Sequence, residues 1–133
     1  MANAKIGSHP SFGNQLVESV TSSFSLVPND SGKVFICSGS ACTLTLPALS
    51  TDIAGFHFTL INGENTIEHG VDGGDSKIFG YEFDETTTSD ANQIMYFNGV
   101  SAVTFGDESK KGDKIECMTD GTSWYLYLIG DNN

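Results

Sequence analysis

Gly112-Asp113-Lys114-Ile115-Glu116-Cys117-Met118-Thr119-Asp120-Gly121-Thr122-Ser123-Trp124-Tyr125-Leu126-Tyr127-Leu128-Ile129 is the stretch whose reading decides the fold. Asp120-Gly121 between two apolar-rich runs is a hairpin signal, because glycine reaches positive φ without steric cost. From Trp124, the only tryptophan, to Ile129 every residue is aromatic or aliphatic. Side chains alternate along a strand, so Trp124, Leu126 and Leu128 point one way and Tyr125, Tyr127 and Ile129 the other. A small chain buries one such face in its own core. The second face needs another layer or another subunit.

The 133 residues make one domain, long enough for a modest core. Apolar content is 38%, and Gly, Ser, Thr, Asn and Asp are abundant, a mix that suits a turn-rich β fold rather than a helical bundle. No apolar run approaches the roughly 20 residues of a membrane span. The first ten residues show no apolar signal-peptide core. Seventeen acidic residues stand against 6 lysines and no arginine, for a formal charge of −11. Such a surface repels nucleic acid and anionic membranes, and without arginine the bidentate clamp for phosphate is missing.

Strand signals begin at Phe24. Phe24 to Val27 leads into the turn Pro28-Asn29-Asp30-Ser31-Gly32, and Lys33 to Cys37 is an apolar strand. Ser38-Gly39-Ser40 is a turn, Cys42 to Leu46 alternates and stops at Pro47, and Phe56 to Ile61 is closed by Asn62-Gly63. A short strand is expected near Thr66 to Glu68. Gly70 to Asn92 reads as a long acidic loop crossed by a strand at Lys77 to Tyr81. Ile94 to Phe97 and Val100 to Phe105 form a pair around Asn98-Gly99, ahead of the terminal hairpin. The count is eight to ten short strands at sandwich-like spacing, with no repeated period.

Residues 1–23 differ from the rest. Ile6, Phe12, Leu16, Val17 and Val20 are scattered among polar residues, and Leu16, Val17 and Val20 fit one helical turn. Two readings stand for this stretch, an arm that packs onto a neighbour and a solvated tail.

Three cysteines, Cys37, Cys42 and Cys117, argue against a disulfide framework by their odd number. Cys37 and Cys42 flank a turn, so a cross-strand disulfide is geometrically open to them, while the plainer reading makes all three small buried hydrophobes. The histidines are isolated: His9 in the arm, His57 between Phe56 and Phe58, His69 in Glu68-His69-Gly70. No nucleophile elbow or phosphate loop is present, so no catalytic residue, and no enzyme, is expected. His57 is expected to face away from its two phenylalanine neighbours. Asp72, Asp75, Asp84 and Glu85 miss the spacing of a calcium loop, and no metal or other cofactor is expected. Tyr81, Phe83 and Tyr96 suit either a core or stacking on sugar rings.

The order of elements resembles small β-domains of tailed-bacteriophage virion proteins, of capsid-decoration, head-fibre and tail-fibre type. Thr43-Leu44-Thr45-Leu46-Pro47-Ala48 followed by Gly55-Phe56-His57-Phe58-Thr59-Leu60-Ile61-Asn62 is similar to one of their passages. Gly112 to Cys117 and the closing Asp120-Gly121-Thr122-Ser123-Trp124-Tyr125 are similar to two others, so the likeness spans about residues 33 to 129. The resemblance implies a homotrimer in which strands share an apolar axis. That would put Trp124, Tyr125, Tyr127 and Ile129 in the core or at the trimer interface, and Asp120 and Gly121 in the turn. The expectation is an all-β, antiparallel sandwich or jelly-roll-like domain over 24–133 with an extended N-terminal arm over 1–23. The function expected is capsid decoration (cement): a trimer on the outer capsid surface of the virion, made in the bacterial host cytoplasm. It would grip the major capsid protein through Ile6, Phe12, Leu16 and Val17. The alternative is a tail- or head-fibre domain that binds host surface glycans.

Overall fold

A computed structural model describes residues 16–84 and 94–130. Their strands are β1 (Val17–Val20), β2 (Phe24–Ser25), β3 (Val34–Cys37), β4 (Thr43–Thr45), β5 (His57–Asn62) and β6 (Gly70–Asp72), then β7 (Ile78–Asp84), β8 (Ile94–Val100), β9 (Ala102–Thr104), β10 (Lys114–Thr119) and β11 (Trp124–Gly130). The helical content among the described residues is two single 3-10 turns, Pro28–Asp30 and Thr51–Ile53.

The strands form a seven-stranded sheet ordered β1-β3-β5-β10-β11-β7-β8 and a four-stranded sheet ordered β2-β4-β6-β9. One cluster of buried residues joins them, drawing Phe35, Leu60, Trp124, Leu126 and Leu128 from the large sheet and Leu44, Val71 and Val103 from the small one. This is a two-layer, sandwich-like all-β body.

The sheets are mixed, which corrects the antiparallel expectation. β1, β3 and β5 pair in parallel in the large sheet, and β2, β4 and β6 do so in the small one. The chain therefore climbs through three turns, each laying one strand in either sheet. The turn at Ser38-Gly39-Ser40 is an arch between layers, not a hairpin within one. An arch and a hairpin need the same small, φ-permissive residues, so local sequence does not separate them. A jelly roll, built from antiparallel Greek keys, does not describe these parallel pairs.

The hairpin β10–β11 is the feature that breaks the climb. It inserts between β5 and β7, antiparallel to β5 on one side and parallel to β7 on the other. Thr119 pairs with Trp124, leaving a four-residue loop at Asp120–Ser123. The Asp120 carboxylate accepts from the backbone N–H of Thr122 (2.9 Å) and Ser123 (3.0 Å). These bonds from Ser123 and Thr122 hold its carboxyl below the usual range. Gly121 has φ +94°, and a Cβ there would lie 2.7 Å from the Ser50 carbonyl oxygen, so glycine serves both the turn and the close approach of a neighbouring loop.

Four further expectations change. Val17–Val20 is a strand paired with β3, not a helical turn, and Val20 reaches the core, so the sheet begins inside the stretch read as an arm. Gly70 to Asp84 is largely strand, with Glu82 and Asp84 buried, and Thr66 to Glu68 is not a strand. Asn98-Gly99 lies within β8 as a bulge: Gly99 has φ +76°, and the register against β7 shifts between Ile78 and Phe79. The change of direction falls instead at Ser101, where the chain crosses to the small sheet. Glu85 and Asp90 lie outside the described residues.

Candidate functional site: the outer face of the large sheet

The alternation of β11 is realised. Trp124, Leu126 and Leu128 are fully buried, while Tyr127 and Ile129 are exposed on the opposite face and Tyr125 is half-buried there. β7 repeats the pattern, with Ile78 and Gly80 inward and Phe79, Tyr81 and Phe83 outward. The parallel pairing of β11 with β7 and the antiparallel pairing of β7 with β8 bring these residues into rows. Tyr127, Tyr81 and Tyr96 form one, Ile129, Phe83 and Ile94 another, and Tyr125, Phe79 and Asn98 a third. The rings of Tyr81 and Tyr96 lie 5.2 Å apart.

The face continues across β10 to β1. Met118 stands beside Tyr125 and His57, and Glu116 beside Tyr127 and Thr59. Lys114 stands beside Ile129 and Ile61, and beyond them Ile36, Val34 and Val17 carry the apolar surface to the edge strand. Two shallow troughs of about 290 and 570 Å³ flank this centre, one lined by His57, Met118, Tyr125 and Tyr127, the other by Val17, Val34, Ile36 and Ile61. Eleven large hydrophobics are exposed among the described residues. Eight of them lie on this one face: Val17, Tyr81, Phe83, Ile94, Tyr96, Met118, Tyr127 and Ile129. Scattered apolar residues are ordinary on a surface, whereas a contiguous patch marks an interaction site.

His57 lies on this face, away from buried Phe56 and Phe58, as the alternation requires, and its Nδ1 is 3.1 Å from the Gly55 carbonyl oxygen. Of the residues assigned to the arm, Leu16 and Val17 are exposed at the start of β1, and the Leu16 carbonyl accepts from Val34 N–H. Ile6 and Phe12 lie outside the described residues. The centre of the face, Lys114, Glu116 and Met118, is not among the site residues expected from sequence. A signal for it exists, since these are the alternate positions of β10 that exclude Ile115 and Cys117.

The buried polar groups belong to the body. Cys37, Cys42 and Cys117 are buried free thiols. Burial, with the Cys42 thiol beside it, pushes Cys37 up to about 12, so none is poised as a thiolate. His69 is fully buried. Its Nδ1 accepts the Cys42 N–H at 2.9 Å, which places the ring proton on Nε2, and Nε2 has no partner. Burial holds its pKa below the ordinary value, against the opposing pull of Glu64. Protonation would put a second N–H against that of Cys42. The unfolded chain therefore binds more protons between the two pKa values, and folding stability is full above about pH 6.5 and falls as pH drops below it. A urea midpoint that declines from pH 7.5 to pH 5.5 in the wild type, and declines less in His69→Gln, is the expected result. Parallel slopes in the two proteins would contradict it. Among the described residues no three metal-ligating side chains come together.

The fold and this face define a class: a two-sheet β-protein with one broad apolar sheet face left uncovered by the described residues. No protein-family model, curated protein or solved structure matches the chain.

Proposed function

We propose that this chain is a non-enzymatic structural protein that works by association, as a trimeric decoration protein on the capsid of a tailed bacteriophage. The observation that carries it is the concentration of exposed apolar residues on the outer face of the seven-stranded sheet. Leaving that face in water forgoes about 25 cal/mol for every Å² of apolar surface that a partner would cover. The phage reading rests on the sequence resemblance. The passages that carry it fall on β4, β5, β10 and β11, of which β5, β10 and β11 are adjacent in the large sheet. The mechanism is binding energy: a trimer set on the shell's symmetry ties neighbouring capsid subunits together, with Ile6, Phe12, Leu16 and Val17 as the grip.

Light scattering of the purified protein should give three times the 14.2 kDa chain mass. A folded monomer at micromolar concentration would overturn the association. Deleting residues 1–15 removes Ile6 and Phe12 but keeps β1, and should leave the oligomer intact while sharply weakening its binding to capsids. Undiminished capsid occupancy would move the grip from the arm to the body.

A second reading is favoured by Tyr81 and Tyr96, whose exposed, adjacent rings could stack on pyranoses as a fibre domain would require. It predicts that alanines at Tyr81, Phe83 and Tyr96 abolish binding to host surface glycans while arm deletion does not.

A further inference from the structure

The charge pattern of the outer face bears on what covers it. The chain carries −11, yet the only Asp, Glu or Lys side chains on the strands of this face among the described residues are Lys114 and Glu116, whose Nζ and Oε2 lie 2.6 Å apart; the Asp120 carboxylate meets the face at its rim, where it accepts from the Tyr125 hydroxyl at 3.1 Å. The centre of the face is therefore close to neutral. It is the surface on which two chains of like charge approach with least repulsion. Six strand spacings of about 4.8 Å and strand lengths near 20 Å give a flat area on the order of 600 Å². A standard interface buries about 800 Å² per partner, so this face supplies most of what a stable assembly needs.

The ion pair sits at the middle of that area, with Ile129 and Ile61 beside Lys114 and Tyr127 and Thr59 beside Glu116. At 38% and 52% exposure it adds little to the fold of one chain. Under a second apolar face both charges would lose water, and a pair closed on itself would offset that loss poorly. The two residues share one strand, two positions apart. A three-fold axis passing close to them can set Lys114 of one copy against Glu116 of the next around the ring. Each charge then gains a second partner, and one alignment of the sheets is favoured over all slipped ones.

We propose that the outer face of the seven-stranded sheet is where copies of this chain pack, and that Lys114 and Glu116 exchange their ion pair between copies to fix the register. The inference rests on the self-association proposed above and adds the surface and the residues that align it.

The test is the self-association constant of the full chain, measured by light scattering over a concentration series. Lys114→Glu and Glu116→Lys each place like charges across the interface and should weaken association at least tenfold. The double variant Lys114→Glu/Glu116→Lys restores the opposition and should return to within about threefold of wild type. Circular dichroism and Trp124 fluorescence should stay at wild-type values throughout, since both positions lie outside the core, while the melting temperature should fall only as association is lost. Tyr81→Asp, on the same face and two strands away from Glu116, should also dissociate the assembly. Single reversals that associate like wild type, or a double variant as weak as the singles, would overturn the register assignment. An intact assembly in Tyr81→Asp would overturn the face. A monomeric wild type would instead sink the prior reading of self-association. A monomer that binds glycans and loses them in Tyr81→Ala would give the face to that ligand.

Discussion

Gly80→Ala should be the most damaging single-methyl change in the chain, with an expected loss of about 4 kcal/mol or more. Gly80 lies in the middle of β7, opposite Leu126 of β11 and Phe97 of β8. Its φ is +148°, which L side chains rarely adopt, and a Cβ there would overlap the Leu126 carbonyl oxygen. Backbone strain alone accounts for about 1–3 kcal/mol. The remainder comes from the overlap, because the atom struck is backbone in the centre of the sheet. To relieve it, β7 must part from β11, breaking the parallel ladder and opening the core beneath Leu126 and Ile78, both fully buried. The check is the urea midpoint by circular dichroism. A midpoint close to wild type would mean that the two strands do not pair in this register.

Trp124→Ala should cost about 4 kcal/mol. The indole is fully buried and meets the Phe56 ring edge-on, with centroids 5.9 Å apart and planes at 88°. Phe56 meets Phe58 in turn at 6.0 Å, and Phe58 meets Phe35 at 6.1 Å, so one aromatic chain runs through the core. Removing its largest member leaves a cavity bounded by rings that are themselves held in place, and such sites collapse poorly. Since the variant has no tryptophan, unfolding must be followed by circular dichroism. Tyr127→Ala is the contrast, because Tyr127 is 42% exposed on the outer face. It should cost the single chain under about 1 kcal/mol and act mainly on assembly. A stable Trp124→Ala would mean that the indole lies outside the core.

Half of the candidate face is legible in the amino-acid sequence. The greasy run from Trp124 to Ile129 states by its own period that two apolar surfaces exist, and His57 between Phe56 and Phe58 places itself outward by the same rule. The extension of the face to Tyr81, Phe83, Ile94 and Tyr96 is not legible there. It depends on β7 lying beside β11, although some 40 residues separate them in the chain. The acidic composition of Gly70 to Asn92 points to a loop. Tertiary burial of Ile78, Gly80, Glu82 and Asp84 along one face of β7 overrides it.

What the sequence by itself determined is most of the strands and, for each of those, which side is apolar, because alternation is a property of a single strand and needs no partner. The terminal turn is of this kind too, since the Asp120 carboxylate accepts from Thr122 and Ser123 within its own loop. Only the tertiary structure decided which strands pair and in what direction. Ser38-Gly39-Ser40 serves an arch as well as a hairpin, and the link from β8 to β9 changes sheet at Ser101 rather than turning back at Asn98-Gly99. The insertion of β10–β11 between β5 and β7 has no local signature, because it is fixed by burial of Trp124, Leu126 and Leu128 against residues far away in the chain. Side-chain direction is a local consequence of the pleat, and pairing is a global consequence of covering the core.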